Sequence, residues 1–300
     1  MSSSSSGWRC SPPASRVRVA HAPAALAALS ADTWIWRPEV AVPLALVAGA
    51  YAVGWWRLSR RGEPAPGWRA GAAGVGVLSL AIALSSPLDR MAHASFTVHM
   101  LQHLLLIAVA APLLLLADPF AALLWGLPSR LRAAAGRLLR PALPPRRLGL
   151  WLTALPAAWL VGVLVVWLWH LPIAYDAAVD DRLVHDVEHL AFFASAVLFW
   201  WPIIQPHPRL RPAASYGARV VYLVLAALQG GLLSLLLASS ARPWYRAYAS
   251  LEDQSLGGLV MWGLGGAVDM LAVLVLMARY LASQDRTEPV EQAGTPVPRS

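Results

Sequence analysis

Residues 95–117 constrain this chain more than any other stretch. They are apolar and long enough to cross a bilayer, which takes about 20 residues, yet their first third carries His99 and His103. At helical pitch an i, i+4 pair shares one face, so both imidazoles meet the same neighbour. Polar side chains inside a membrane helix are expensive and mark a functional site. What these two histidines face is the question the rest of the sequence has to answer.

Further apolar stretches of near-bilayer length run over residues 40–56, 68–85, 151–171, 185–204, 218–238 and 256–280. With residues 96–117 they predict an all-α fold, a polytopic bundle of about seven transmembrane helices. Only 13% of residues are charged, against about 25% in a soluble protein. The net charge of +8 does not point to nucleic acid, because the basic residues are all Arg and stand mostly in short connections. Membrane lipid is the expected neighbour. Arg57, Arg60, Arg61 and Arg69 fill the first connection; Arg130, Arg132, Arg137, Arg140, Arg146 and Arg147 the third; Arg209 and Arg211 the fifth. Basic connections stay cytoplasmic, so the N-terminus is expected outside and the C-terminus inside, in a multi-pass membrane protein. Three regions follow: a tail over 1–37, read as disordered or as a signal peptide; a membrane domain over 38–281; and a disordered cytoplasmic tail over 282–300. Residues 127–139 read either as a short basic amphipathic helix or as an ordinary positive connection.

That topology collects the chemistry at one end. His99 and His103 lie within the first turns of the third span, His170 closes the fourth, and His185 and His189 open the fifth as a second i, i+4 pair. Met261 comes soon after the start of the seventh. Imidazole suits copper, zinc, iron and nickel, and thioether favours Cu(I). A His-rich site with a Met, facing an oxidising compartment and lacking Cys, fits copper best; Cys10 is the lone cysteine. His99, His103, His170, His185, His189 and Met261 are therefore the candidate metal ligands. Ligand imidazoles need carboxylates or amides to orient them, and Gln102, Glu188, Asp253 and Gln254, with Asp186, are the candidates. His21, His93 and His207 read as interfacial polar residues.

The chain resembles the CtaG family of polytopic bacterial cytochrome c oxidase assembly factors over about residues 40–281. The resemblance rests on His99-Met-Leu-Gln-His103 running into Ala111-Pro112, Trp169-His170-Leu-Pro172 with Tyr175, and His185-Asp-Val-Glu-His189 leading to Trp200-Trp201-Pro202. Tyr245 with Tyr248, Asp253-Gln254, Gly257-Gly258 and Met261-Trp262 complete it in order. It implies a non-enzymatic membrane protein that works with cytochrome c oxidase subunits, handling copper for them. Two readings compete: a haem b electron carrier with paired His ligands, and a metal-ion transporter. Membrane hydroxylases would need adjacent His-His boxes, and a serine protease a Gly-x-Ser-x-Gly site; the sequence has neither.

Overall fold

Prolines and small polar caps decide where the helices of this chain begin. A computed structural model describes residues 37–62, 66–138 and 144–285. Among them the helices are α1 (Pro38–Ser59), α2 (Gly67–Ser85), α3 (Pro87–Ala92), α4 (Phe96–Leu116), α5 (Pro119–Gly126), α6 (Ser129–Leu138), α7 (Pro144–Leu152), α8 (Leu155–Trp169), α9 (Pro172–Asp180), α10 (Arg182–Ile204), α11 (Tyr216–Ala238) and α12 (Leu251–Gln284). Pro38, Pro87, Pro119, Pro156 and Pro172 stand in first turns, where a missing N–H costs nothing. Ser95, Asp181, Ser215 and Ser250 accept hydrogen bonds from the first free amides of α4, α10, α11 and α12.

Among the described residues six helices are long and apolar enough to span a bilayer, and there are up to seven crossings when the bent pair α7–α8 is counted as one broken span. Their outward faces are apolar: Leu46 is 68% exposed and Leu228 65%, as lipid contact requires. The fourth stretch is not the single span over 151–171 that hydropathy suggests. It breaks at Thr153–Ala154, with 76° between its halves, because the Pro156 ring would collide with the carbonyl four residues earlier in a continuous helix. Within residues 127–139, left open by the sequence, Ser129–Leu138 form the helix α6. The last helix runs on to Gln284, past the expected boundary at 281. The tail readings over 1–36 and 286–300 lie outside the described residues.

Two separate polar networks tie the ends of the bundle. At one end Arg37 pairs with Asp186, Glu39 with Arg182, and Arg246 with Asp176 and Asp180. At the other, Asp118 holds both Arg69 and His207, and Arg57 donates to the Trp125 carbonyl. The Tyr216 and Tyr280 rings meet 5.7 Å apart at this second end. The described helices thus begin at the first end with α1 and finish at the second with α12, which requires an odd number of crossings between them.

Two features of helix shape bear on the site. Residues Leu105–Ala110 of α4 form a wide π turn just past His103. Pro112 cannot donate to the turn before it, and the register shift accommodates the missing bond; such turns gather at functional sites. An added Cβ at Gly257 would come within 2.4 Å of the Phe96 ring, and one at Gly258 would lie 2.8 Å from the Ser234 carbonyl oxygen. These two glycines let α12 press onto α4 and α11 together.

Candidate metal centre

His99 and His103 on α4, and His185, Glu188 and His189 on α10, occupy one face of each helix, and the two faces meet. The spacings i, i+4 and i, i+3, i+4 make this geometry a direct consequence of helical pitch. One donor atom each from His99, His185, Glu188 and His189 lies within 4.8 Å of all the others. His99 Nε2 and His185 Nε2 are 3.3 Å apart. Two nitrogens ligating one ion at about 2.0 Å in a tetrahedron stand about 3.3 Å from each other. His103 joins the edge of the group, its Nε2 3.8 Å from Glu188 Oε2, while His99 Nε2 is 3.6 Å from the same oxygen. None of these five residues is more than 3% exposed.

The group is deeply buried and largely unpaired. Both carboxylate oxygens of Glu188, both ring nitrogens of His103 and of His189, and Nε2 of His170 have no hydrogen-bond partner among the described residues. Leaving one buried polar group unpaired costs about 1–3 kcal/mol. Buried carboxylates persist when they are paired or coordinate a metal. Here the neighbours within ion-pair reach of Glu188 are His99 and His103. A buried carboxylate ringed by imidazole nitrogens, with so many of these atoms lacking hydrogen-bond partners, is an arrangement that fits a metal ion.

Tyrosines and backbone carbonyls orient the rings. His99 Nδ1 sits 3.0 Å from Tyr248 Oη and 2.8 Å from Tyr175 Oη, and the Tyr248 hydroxyl donates to the Ala92 carbonyl at 2.6 Å. With the proton on Nδ1, His99 turns its Nε2 lone pair toward His185 and Glu188. Tyr245 donates to the His170 carbonyl. Burial pushes the phenols of Tyr245 and Tyr248, in the connection before α12, well above their usual value, so both stay neutral. His170 Nδ1 lies 2.7 Å from the Val166 carbonyl. A carbonyl only accepts, so Nδ1 carries the proton and Nε2 is a bare lone pair.

The family of cytochrome c oxidase caa3 assembly factors (CtaG) has a model that matches residues 49–283. The chain belongs to this family. It is also similar to uncharacterised proteins of Mycobacterium leprae, 27% identical over 86% of this chain and 41% of the relative, and of Mycobacterium bovis, 26% identical over 84% and 40%. The chain spans about two-fifths of the length of these relatives. No solved structure matches it.

Within this CtaG chain the residues picked out by sequence divide into two sets. His99, His185 and His189 come together, with His103 beside them and His170 next, its ring 6.3 Å from that of His103. Glu188, expected as a supporting carboxylate, stands at ligand distance instead, because i+3 from His185 puts it on the same face. Met261 lies in a second π turn of α12 and packs beside the apolar cluster of Phe96, Met100 and Leu233. Asp253 does not reach an imidazole. It caps α4 from the neighbouring helix, its carboxylate accepting from Ser95 Oγ, Phe96 N and Thr97 N. Gln254 accepts from Trp244 N and donates to the Leu237 carbonyl; Gln102 donates to the Ala83 carbonyl and Asp89; Asp186 holds Arg37. All four are framework contacts, set by the helix ends they bridge. Removing the cap in Asp253→Ala is expected to cost about 1–2 kcal/mol, read as a lower midpoint of thermal unfolding in detergent.

Sequence reasoning missed the role of Tyr175 and Tyr248. Both were visible as aromatic residues near histidine motifs, but they lie 76 and 149 positions from His99, and no local pattern joins them.

Proposed function

We propose that this CtaG chain assists assembly of cytochrome c oxidase by holding a copper ion in the cage of His99, His185, Glu188 and His189, with His103 beside it, in the outer half of the bacterial plasma membrane. The observation that carries this reading is the set of unpartnered buried donor atoms around Glu188. Three imidazoles and a carboxylate suit copper and zinc alike. Copper is preferred because the oxidase that this family serves is a haem–copper enzyme.

Haem b is less suited to the same side chains. Their rings already fill the space between α4 and α10, with centroids 4.1–5.5 Å apart for neighbouring pairs, and leave no slot for a porphyrin between them. A transport path is also disfavoured. Toward the arginine-rich end, α4 and α10 bury Leu106, Ala110, Ala111, Leu115, Ala196 and Trp200, a run without a metal donor.

The test is the metal content and visible spectrum of the detergent-purified full-length protein. Stoichiometric copper with no Soret band is expected. Zinc held in preference to copper, or a stoichiometric haem spectrum, overturns the copper reading.

A further inference from the structure

We propose that His93, which sequence reasoning sets aside as an interfacial residue, is the portal ligand through which a metal ion enters and leaves the buried cage. The inference rests on the copper reading above and adds a route to it.

His93 lies in the turn between α3 and α4, at the end of the bundle where the histidines gather. Its side chain is exposed, yet its ring meets that of His185 edge-on at 5.1 Å. Its Nδ1 is 2.9 Å from the Asp89 carbonyl four residues back. That oxygen only accepts, so Nδ1 holds the proton and Nε2 presents a lone pair, the state a metal ligand needs. His170 is locked in the same way by Val166. The two rings bracket the cage, one at the surface and one at its deep end.

Between them runs an unbroken series of imidazoles. From His185 the next centroids are 4.1 Å away at His189 and 5.1 Å at His99; His99 to His103 is 4.4 Å and His103 to His170 is 6.3 Å. Exposure falls within one step, from His93 at the surface to 2% at His185. Beyond His170 stand Phe192 and Tyr175, whose rings lie 6.0 and 6.2 Å from its own. Among the described residues the series therefore reaches the aqueous side at His93. An ion moves along it by ligand exchange: a nitrogen of His185 bonds to the metal as His93 Nε2 leaves. Neutral imidazole replaces neutral imidazole, with no electron or proton transferred.

The experiment loads metal-free, full-length protein in detergent from a chromophoric copper chelate and follows both the rate and the final occupancy. His93→Phe keeps the ring packing against His185 and removes the donor. It should reach wild-type occupancy and affinity while loading about tenfold more slowly, within the range over which on-rates respond to substitution. His93→Met restores a donor and should recover most of the rate, which a merely structural role would not permit. If His93→Phe loads at the wild-type rate, or if it loses equilibrium affinity like a ligand of the cage itself, the portal role is overturned while the copper site stands. If wild-type protein takes up no copper, the site fails and the portal fails with it.

Discussion

On the proposed copper reading, a chain carrying His189→Ala is expected to insert into the membrane normally and to bind copper at least about 100-fold more weakly than wild type. Outer partners of a metal ligand are worth 10–100-fold in affinity, and His189 is placed to bond the ion itself. Adding Glu188→Gln or His99→Ala should weaken binding little further, because ligands that act as a unit are not additive. Metal-free protein behaves differently. Both ring nitrogens of His189 are buried without partners, so His189→Leu removes an unpaired polar group and should leave the metal-free protein at least as stable as wild type. Copper at 100 times its dissociation constant should stabilise the wild type by about 2.7 kcal/mol and leave the variant unmoved. Titration by competition with a chelator, paired with thermal unfolding, reads both effects, and oxidase maturation under copper limitation should fall in parallel. A His189→Ala chain that retains full affinity and full maturation removes the cage from consideration.

Gly54→Ala is the second change with a large expected effect, and it acts on the scaffold alone. A Cβ at Gly54 would lie 1.7 Å from the Ala122 carbonyl oxygen, and one at Gly126 would lie 1.9 Å from that of Ala50. The two glycines make a reciprocal contact in which α1 and α5 touch backbone to backbone, the close approach that small residues permit between membrane helices. Neither blocking atom is on a flexible side chain, so the helices must separate. Overpacking costs typically 1–3 kcal/mol, and a clash with rigid backbone belongs at the upper end, about 3 kcal/mol. Gly49→Ala in the same helix meets nothing within 4 Å and should be neutral, or stabilising by up to about 1 kcal/mol through helix propensity. Equilibrium unfolding in mixed detergent compares the two. Equal stability of Gly54→Ala and Gly49→Ala would contradict the contact.

How far the sequence reaches depends on the range of the interaction. Hydropathy alone determined an all-α membrane bundle, since any stretch of about 20 apolar residues must close its backbone hydrogen bonds internally in lipid. Helical pitch alone determined that His99 shares a face with His103, and His185 with His189. Hydropathy could not reveal the 76° break before α8, because an average over apolarity is blind to the backbone constraint Pro156 imposes.

Tertiary structure decided the rest. Whether two histidine faces meet depends on how α4 and α10 pack, and only that packing made Glu188 a neighbour of both pairs. It also sent Asp253, Gln254 and Gln102 to helix ends: amides and carboxylates bond whichever donor or acceptor the fold brings near, and sequence distance does not record that. Met261 packs against an apolar cluster, a contact that sequence does not announce, since a thioether packs as readily as it ligates. His93 shows the converse, an exposed residue in a turn whose meaning comes wholly from the ring it touches. Helix formation and burial in lipid are local, so the sequence carries them; the cage is made by contacts between residues as far apart as positions 99 and 248, which only the folded chain brings within bonding distance.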